Sequence, residues 1–250
     1  MRLRHALALC LPLLLAAASV GDPVTVHLAG DSTMAAKRPE KRPETGWGEY
    51  LQEAFEPSEV RVVNHAQNGR STRTFIAEGR WQAIVDSLRD GDWVFIQFGH
   101  NDQSVEKVDR YTPPDDFRRN LARFVSDVRA RGATPVLLTP VVRRRFDSTG
   151  TFYDVHGEYP DLTRRVAAEL GVPLIDMHRK SAALLRERGA ERSRALFLHL
   201  APGEHRNYPA GLKDDTHFSP AGARLMAALA IEGIRESGIA LAARLRPREK

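Results

Sequence analysis

Cysteine is the scarcest residue type in this 250-residue sequence, which contains only Cys10. A chain with one cysteine forms no internal disulfide, so its stability must come from its hydrophobic core. The histidines also lack the spacings typical of zinc sites, and we expect His199 and His205 in core or rim positions. No localised stripe of arginine and aromatic residues is present, which argues against a nucleic-acid partner.

Long apolar runs are absent beyond the N-terminal segment, so no later segment is predicted to span a membrane. The N-terminal segment places Arg2 and Arg4 before an apolar stretch over residues 6–18, which ends in small residues. This layout is typical of a secretory signal peptide, with an uncleaved anchor as the less favoured alternative. We therefore predict a signal peptide over residues 1–21 and a secreted or periplasmic protein without stable membrane association after cleavage.

The remaining chain, residues 22–250, is predicted to be one catalytic domain. Its length and the 42% hydrophobic content leave room for one well-buried core. The whole chain has a formal net charge of +5, and without Arg2 and Arg4 (5 − 2) it keeps +3, which suits a polyanionic partner without requiring one. The sequence assigns no oligomeric state.

The order of apolar segments predicts an α/β fold with a five-stranded parallel sheet between two helical layers. The predicted strands are 24–29, 60–64, 93–98, 134–139 and 172–176. Helical periodicity predicts helices over 48–55, 76–89, 162–170, 181–188 and 220–236, and another that begins at Pro113-Pro114-Asp115 and stops at Gly132. Three long connections, 102–112, 143–160 and 198–213, are interpreted as a substrate-binding rim.

Two polar segments carry the residue types of an acyl-transfer site. Ser32 follows the first predicted strand, and Asp214-x-x-His217 lies near the other end of the chain. A serine, a histidine base and a carboxylate that orients the base form a complete nucleophilic set. The spacing of three residues favours Asp214 as the partner of His217, although Asp215 competes for this role.

Two further polar turns follow the second and third predicted strands. They contain Asn68-Gly69-Arg70 and Gly99-His100-Asn101-Asp102. The backbone N–H of Gly69 and the side-chain amide of Asn101 are the kinds of donor that stabilise a tetrahedral oxyanion. Considered alone, the first sequence is equally typical of a turn and the second of a helix cap.

These four segments, in this order, resemble the SGNH (GDSL-like) hydrolase superfamily over nearly the whole predicted mature chain. The resemblance implies a three-layer αβα sandwich of the flavodoxin-like kind and an esterase that needs no metal or other cofactor. It also implies Ser32 as nucleophile, His217 as general base and Asp214 as its partner. The oxyanion hole would then consist of the Ser32 and Gly69 N–H groups and the Asn101 side chain.

Within the superfamily, the motif details are most similar to rhamnogalacturonan acetylesterases. The matching motifs are Gly-Asp-Ser-Thr-Met-Ala, Asn-Gly-Arg-Ser-x-Arg, Gly-His-Asn-Asp and Asp-x-Thr-His-Phe. Thr33 replaces the leucine of the commoner Gly-Asp-Ser-Leu motif, as it does in that subgroup. The implied substrate is an acetylated plant cell-wall polysaccharide or oligosaccharide.

Arginines near the predicted site favour pectin as the substrate, because guanidinium groups bind the carboxylates of galacturonate through paired hydrogen bonds. Arg70 and Arg73 are candidate substrate-binding residues, together with His100. An esterase for xylan or another carbohydrate, a lipase, and a non-catalytic carbohydrate-binding protein are the alternatives. The polar segments around the site favour carbohydrate over lipid.

Overall fold

The computed structural model describes residues 22–247, so the predicted signal peptide and Cys10 lie outside the described residues. In this part of the chain no helix has the length and apolar character needed to cross a membrane.

Five parallel strands form the central sheet, as predicted from the five apolar runs. They are β1 (Val24–Gly30), β2 (Val60–Asn64), β3 (Trp93–Gln97), β4 (Thr134–Leu138) and β5 (Leu174–Ile175). Their spatial order is β2-β1-β3-β4-β5, so β1 lies between the two strands that follow it in sequence. Where strand order reverses in this way, a crevice opens beyond the carboxyl ends of the strands. The turns after β1, β2 and β3 meet at this crevice.

Helices cover both faces of the sheet and give the expected three layers. Along β3, Val94 and Ile96 belong to one hydrophobic cluster and Phe95 to the other, because successive side chains of a strand point to opposite faces. The first cluster includes side chains of α1 (Thr72–Ala77), α2 (Arg80–Ser87), α3 (Pro114–Arg129) and α4 (Tyr159–Glu169). The second includes those of a 3₁₀ helix (Trp47–Ala54), α5 (Met177–Ser193) and α6 (Pro220–Glu236).

Two predicted helices differ from the structure. The segment 76–89 is divided between α1 and α2, because Gly79 adopts a positive φ of 70° that right-handed helices exclude. The segment expected as a helix over 48–55 is the 3₁₀ helix Trp47–Ala54.

A small antiparallel sheet takes up only the two ends of the segment that was expected to be a connection, 198–213, and residues 201–211 remain a loop. Its strands are β6 (Phe197–Leu200) and β7 (Leu212–Phe218). Phe197 pairs with Phe218 while Leu198 pairs with Asp214, so residues 215–217 bulge out of the ladder. Bulges of this kind redirect side chains, and this one carries His217 towards the crevice. Lysine and aspartate are poor strand formers, which is why the sequence of β7 does not predict a strand.

Candidate active site

Ser32 lies in the turn that follows β1. The side chain of Asp31 is fully buried and accepts hydrogen bonds from the N–H (2.9 Å) and hydroxyl (2.8 Å) of Thr33, which fix the turn. Gly30 allows the turn to lie close to β3, because a Cβ there would approach the carbonyl oxygen of Gln97 to 2.9 Å. The serine is thereby held on a buried frame with 9% of its surface exposed.

The structure brings Ser32, His217 and Asp214 into one chain of hydrogen bonds. His217 Nε2 lies 3.0 Å from Ser32 Oγ, and His217 Nδ1 lies 2.6 Å from Asp214 Oδ2. The other carboxylate oxygen of Asp214 accepts the N–H groups of Thr216 (2.7 Å) and His217 (3.0 Å), which the bulge in β7 leaves without ladder partners. This geometry is suited to proton transfer between the serine and the imidazole.

The carboxylate of Asp214 is stabilised in its charged form. Partial burial favours protonation, but the hydrogen bonds and charge interaction with His217 outweigh it and lower the pKa of Asp214 to about 2. Asp215, the alternative in the sequence, instead contacts Arg144 and His199, each at 2.8 Å. Asp214 is therefore the carboxylate that orients the His217 ring.

Gly69 and Asn101 border the same cavity as Ser32. Gly69 has a φ of 75°, which favours glycine, and a Cβ there would lie 3.1 Å from Arg110. The N–H groups of Ser32 and Gly69 donate no hydrogen bond to residues 22–247. Asn101 Nδ2 donates to the carbonyl of Arg70 at 2.9 Å, which leaves its second N–H for another acceptor.

The cavity has a volume of about 650 Å³, and its lining contains no aliphatic or aromatic hydrocarbon side chain in the described part of the molecule. Five basic residues line it: Lys41, Arg70, Lys107, Arg110 and Arg143. The acidic lining residues are Glu44, Glu78, Asp109 and Asp214. A site of this composition suits a hydroxyl-rich or anionic ligand better than an acyl chain.

The three predicted substrate-binding residues have different positions. Arg70 borders the cavity and is held by Glu78 (3.0 Å). Arg73 is not among the lining residues, and its guanidinium donates to the carbonyl of Val108 (2.7 Å), so the structure does not bring Arg73 to the cavity beside Ser32. His100 borders the cavity but is only 2% exposed, and burial, together with nearby His156 and Arg143, lowers its pKa well below the usual range.

Several residues of the site were not predicted from the sequence. Lys37 and Glu44 form a buried ion pair (2.9 Å) in the segment after Ser32. Arg143 donates to the hydroxyl of Thr216 (3.0 Å) and to the carbonyl of His100 (3.1 Å), and so links β7 to the turn after β3. Lys37 and Glu44 belong to no short motif, whereas Arg143 begins the connection 143–160, which was interpreted as part of the substrate-binding rim without a role for this residue.

Asp102 anchors the connection between β3 and α3. Its buried carboxylate accepts the N–H and hydroxyl of Thr72 (2.8 and 2.6 Å) and the N–H of Gly99 (3.1 Å). Its carbonyl accepts the N–H of Thr112 at 2.9 Å, which closes the segment 103–111 at its base. Burial raises the pKa of Asp102 to about 6 despite these hydrogen bonds. The closed segment supplies Lys107, Asp109 and Arg110 to the cavity.

Asp154, His156 and His178 are the described residues whose donor atoms lie close enough together to be considered as a metal site. His156 Nδ1 bonds Asp154 at 2.8 Å, and His178 Nε2 lies 3.1 Å from the same carboxylate. Arg164 approaches His178 Nδ1 at 3.4 Å, which makes Nδ1 the acceptor and places the ring proton on Nε2. A protonated Nε2 has no lone pair for a metal, so His178 in this tautomer is a poor metal ligand.

The sheet order, the serine turn and the Asp-x-x-His bulge together define an SGNH hydrolase. In agreement, the sequence model of the GDSL-like lipase/acylhydrolase family matches residues 28–225. The chain belongs to this family and is a carboxylic ester hydrolase.

Among individual proteins, the chain is similar to rhamnogalacturonan acetylesterase RhgT of Bacillus subtilis, with 44% identity over 91% of this chain and 96% of the relative. It is 28% identical to the rhamnogalacturonan acetylesterase of Emericella nidulans over 87% of each chain.

Two solved structures share the architecture. The YxiM protein of Bacillus subtilis superposes with a TM-score of 0.74 and 28% identity over 87% of this chain, which corresponds to 58% of that longer protein. Axe2, an acetylxylan esterase from Geobacillus stearothermophilus, superposes with a TM-score of 0.62 and 21% identity over 92% of this chain and 99% of that one. At that identity, the match to Axe2 supports the fold alone.

Proposed function

We propose that this protein is a serine esterase that removes O-acetyl groups from an acetylated polysaccharide, and that its natural substrate is the pectic polymer rhamnogalacturonan. The observation that carries the proposal is the hydrogen-bonded series from Ser32 Oγ through His217 (3.0 Å) to Asp214 (2.6 Å) at the edge of a polar cavity.

In the proposed reaction, His217 Nε2 accepts the proton of Ser32 as Oγ attacks the acetyl carbonyl. Asp214 holds the ring with Nδ1 protonated and stabilises the imidazolium that forms. The oxyanion is bound by the N–H groups of Ser32 and Gly69 and by the free N–H of Asn101. His217 then gives its proton to the sugar oxygen as its bond to the acetyl carbon breaks, so the sugar leaves with a free hydroxyl, and water releases acetate from the acyl-enzyme by the same steps.

Two observations support a pectic substrate. The relatives that are 44% and 28% identical are both named rhamnogalacturonan acetylesterases. In addition, Lys41 and Lys107 border the cavity and have no ion-pair partner among residues 22–247. Free ammonium groups beside the site can bind uronate carboxylates, whereas xylan has a neutral backbone.

Acetate release from a matched panel tests both levels of the proposal. We expect release from acetylated rhamnogalacturonan to exceed that from acetylated xylan and from long-chain 4-nitrophenyl esters. Ser32→Ala should abolish turnover and Asn101→Ala should lower it about 10²- to 10³-fold, while Ser237→Ala, remote from the cavity, serves as a control. Full activity of Ser32→Ala would refute the serine mechanism, and a preference for xylan would refute the pectic assignment alone.

Export is a further part of the proposal, supported by the charged and apolar pattern of residues 1–21. Expression of the full chain in a bacterial host should yield a processed protein in the periplasm or medium. Its N-terminal residue, determined by mass spectrometry, should lie between positions 19 and 22. An intact N-terminus on a cytoplasmic product would contradict export.

A further inference from the structure

Lys37 lies under the candidate active site, and its side chain is fully buried. Its ammonium group donates to three acceptors: Glu44 Oε1 (2.9 Å), Asn68 Oδ1 (2.8 Å) and the carbonyl oxygen of Ser32. An ammonium group has three donor hydrogens, so each acceptor takes one and the group is fully satisfied. Because the side chain has no exposed surface, its charge does not serve to solvate the protein surface.

The three acceptors belong to different parts of the site. Ser32 carries the proposed nucleophile and one oxyanion N–H, and Asn68 directly precedes Gly69, which carries the second. Glu44 Oε1 lies 4.0 Å from His217 Nε2, and the next residue, Thr45, donates its N–H to the carbonyl of Phe218 in β7. One side chain therefore connects the turns after β1 and β2 with a segment that is bonded to β7.

We propose that Lys37 is a positioning residue, which fixes the separation of the Ser32 and Gly69 N–H groups by joining Ser32 to Asn68. The proposal deepens the proposed function and rests on it, because fixed donors matter only if an oxyanion forms between them. Glu44 keeps the buried ammonium group charged and in place. Preorganised donors are effective because they need not move as charge develops, and small displacements from the productive geometry are costly in rate.

Lys37→Met keeps an unbranched side chain that is one atom shorter and removes its hydrogen bonds. With 4-nitrophenyl acetate as substrate, we expect kcat to fall about 10- to 100-fold while KM stays within about twofold, since the change affects the transition state and not the entrance of the cavity. Lys180→Met is the matched control, because Lys180 is also an ion-paired lysine (2.6 Å from Glu236) but lies outside the cavity.

In Lys37→Met, the buried carboxylate of Glu44 loses its partner, which could prevent folding. The double variant Lys37→Met/Glu44→Gln removes this unpaired charge, so it tests the loss of positioning without a charge imbalance. We expect its kcat to remain low. A kcat within threefold of wild type for the single or the double variant would overturn the proposal. If neither variant folds, Asn68→Ala removes one arm of the connection, and an unchanged kcat there would also overturn it.

Backbone amide NMR provides a readout that does not depend on activity. The ¹H–¹⁵N resonances of Ser32 and Gly69 should shift in Lys37→Met and stay in place in Lys180→Met. Unmoved resonances would refute the positioning role even if kcat changed. If the wild-type protein released no acetate but these resonances shifted, the proposed function would fail and the structural connection would stand.

Discussion

The adjacent residues Asp214 and Asp215 provide the sharpest test of the candidate site, because each carboxylate contacts a different histidine. Asp214 lies 2.6 Å from His217, and Asp215 lies 2.8 Å from His199. In Asp214→Asn, the amide oxygen can still accept the backbone N–H groups within the bulge, so the fold should be retained. The amide nitrogen would face Nδ1 of His217 and donate to it, which places the ring proton on Nε2 and blocks proton transfer from Ser32.

The size of the effect follows from the charge interaction that is lost. The Asp214 and His217 side chains are 25% and 28% exposed, so an effective dielectric constant of about 20 is appropriate, and two charges about 4 Å apart then interact by about 4 kcal/mol. Loss of this stabilisation corresponds to about a 10³-fold decrease in kcat, to which the unfavourable tautomer adds.

Stopped-flow hydrolysis of 4-nitrophenyl acetate, with thermal melting as a check on folding, measures this difference. Asp215→Asn should keep kcat within about threefold of wild type. A decrease of less than tenfold in Asp214→Asn, or equal losses in the two variants, would refute the assignment of His217 as the base oriented by Asp214.

Three other changes test the substrate, the pH dependence and the packing. Lys107→Ala should raise KM for an acetylated uronate-containing oligosaccharide about tenfold but leave KM for 4-nitrophenyl acetate unchanged. Arg73→Ala should change neither KM value. Equal effects of the two variants would contradict the assignment of Lys107, but not Arg73, to the cavity. Burial and nearby His27 lower the pKa of His65 to about 4, so the unfolded chain binds a proton more readily and stability should be lost as pH falls from about 6.5 towards 4. The difference in urea-unfolding free energy between pH 7.5 and pH 4.5 should therefore be smaller in His65→Gln than in wild type, by about 2 kcal/mol. Gly222→Ala would place a Cβ 1.8 Å from the backbone oxygen of Leu196, so it should lower the free energy of unfolding by about 3 kcal/mol and the melting temperature by roughly 6–12 °C. A melting temperature within about 2 °C of wild type would show instead that the backbone relaxes around the added methyl group.

The sequence was sufficient for the central sheet because its strands are short apolar runs separated by helical segments. It also predicted Ser32 and the Asp-x-x-His segment, since these depend on local spacing. The positions of β6 and β7 were missed because the pairing joins segments that are separated in sequence and because β7 is mostly polar. The break at Gly79 was missed for a different reason, since a single glycine is tolerated in many helices.

The residues around the catalytic series were harder to predict because their roles depend on tertiary contacts. Lys37 and Glu44 are ordinary charged residues in sequence, and only the fold buries them against Ser32 and Asn68. Arg73 shows the converse, because its motif matches but its guanidinium bonds the carbonyl of Val108 and does not line the cavity. Motif spacing therefore locates the reacting groups, whereas the substrate-facing and supporting residues require the folded chain.

The closure of the segment 103–111 by Asp102 and Thr112 has an engineering consequence. The ends of this loop are held mainly by hydrogen bonds of Asp102 and of the Thr112 N–H, with one more from the Ser104 hydroxyl to the carbonyl of His100 (3.3 Å), while Lys107, Asp109 and Arg110 border the cavity. Loop transplantation between these two points would exchange the recognition surface without disturbing the strands beneath it. The enzyme thus has a natural graft site, at which new substrate preferences could be introduced while the reacting groups stay in place.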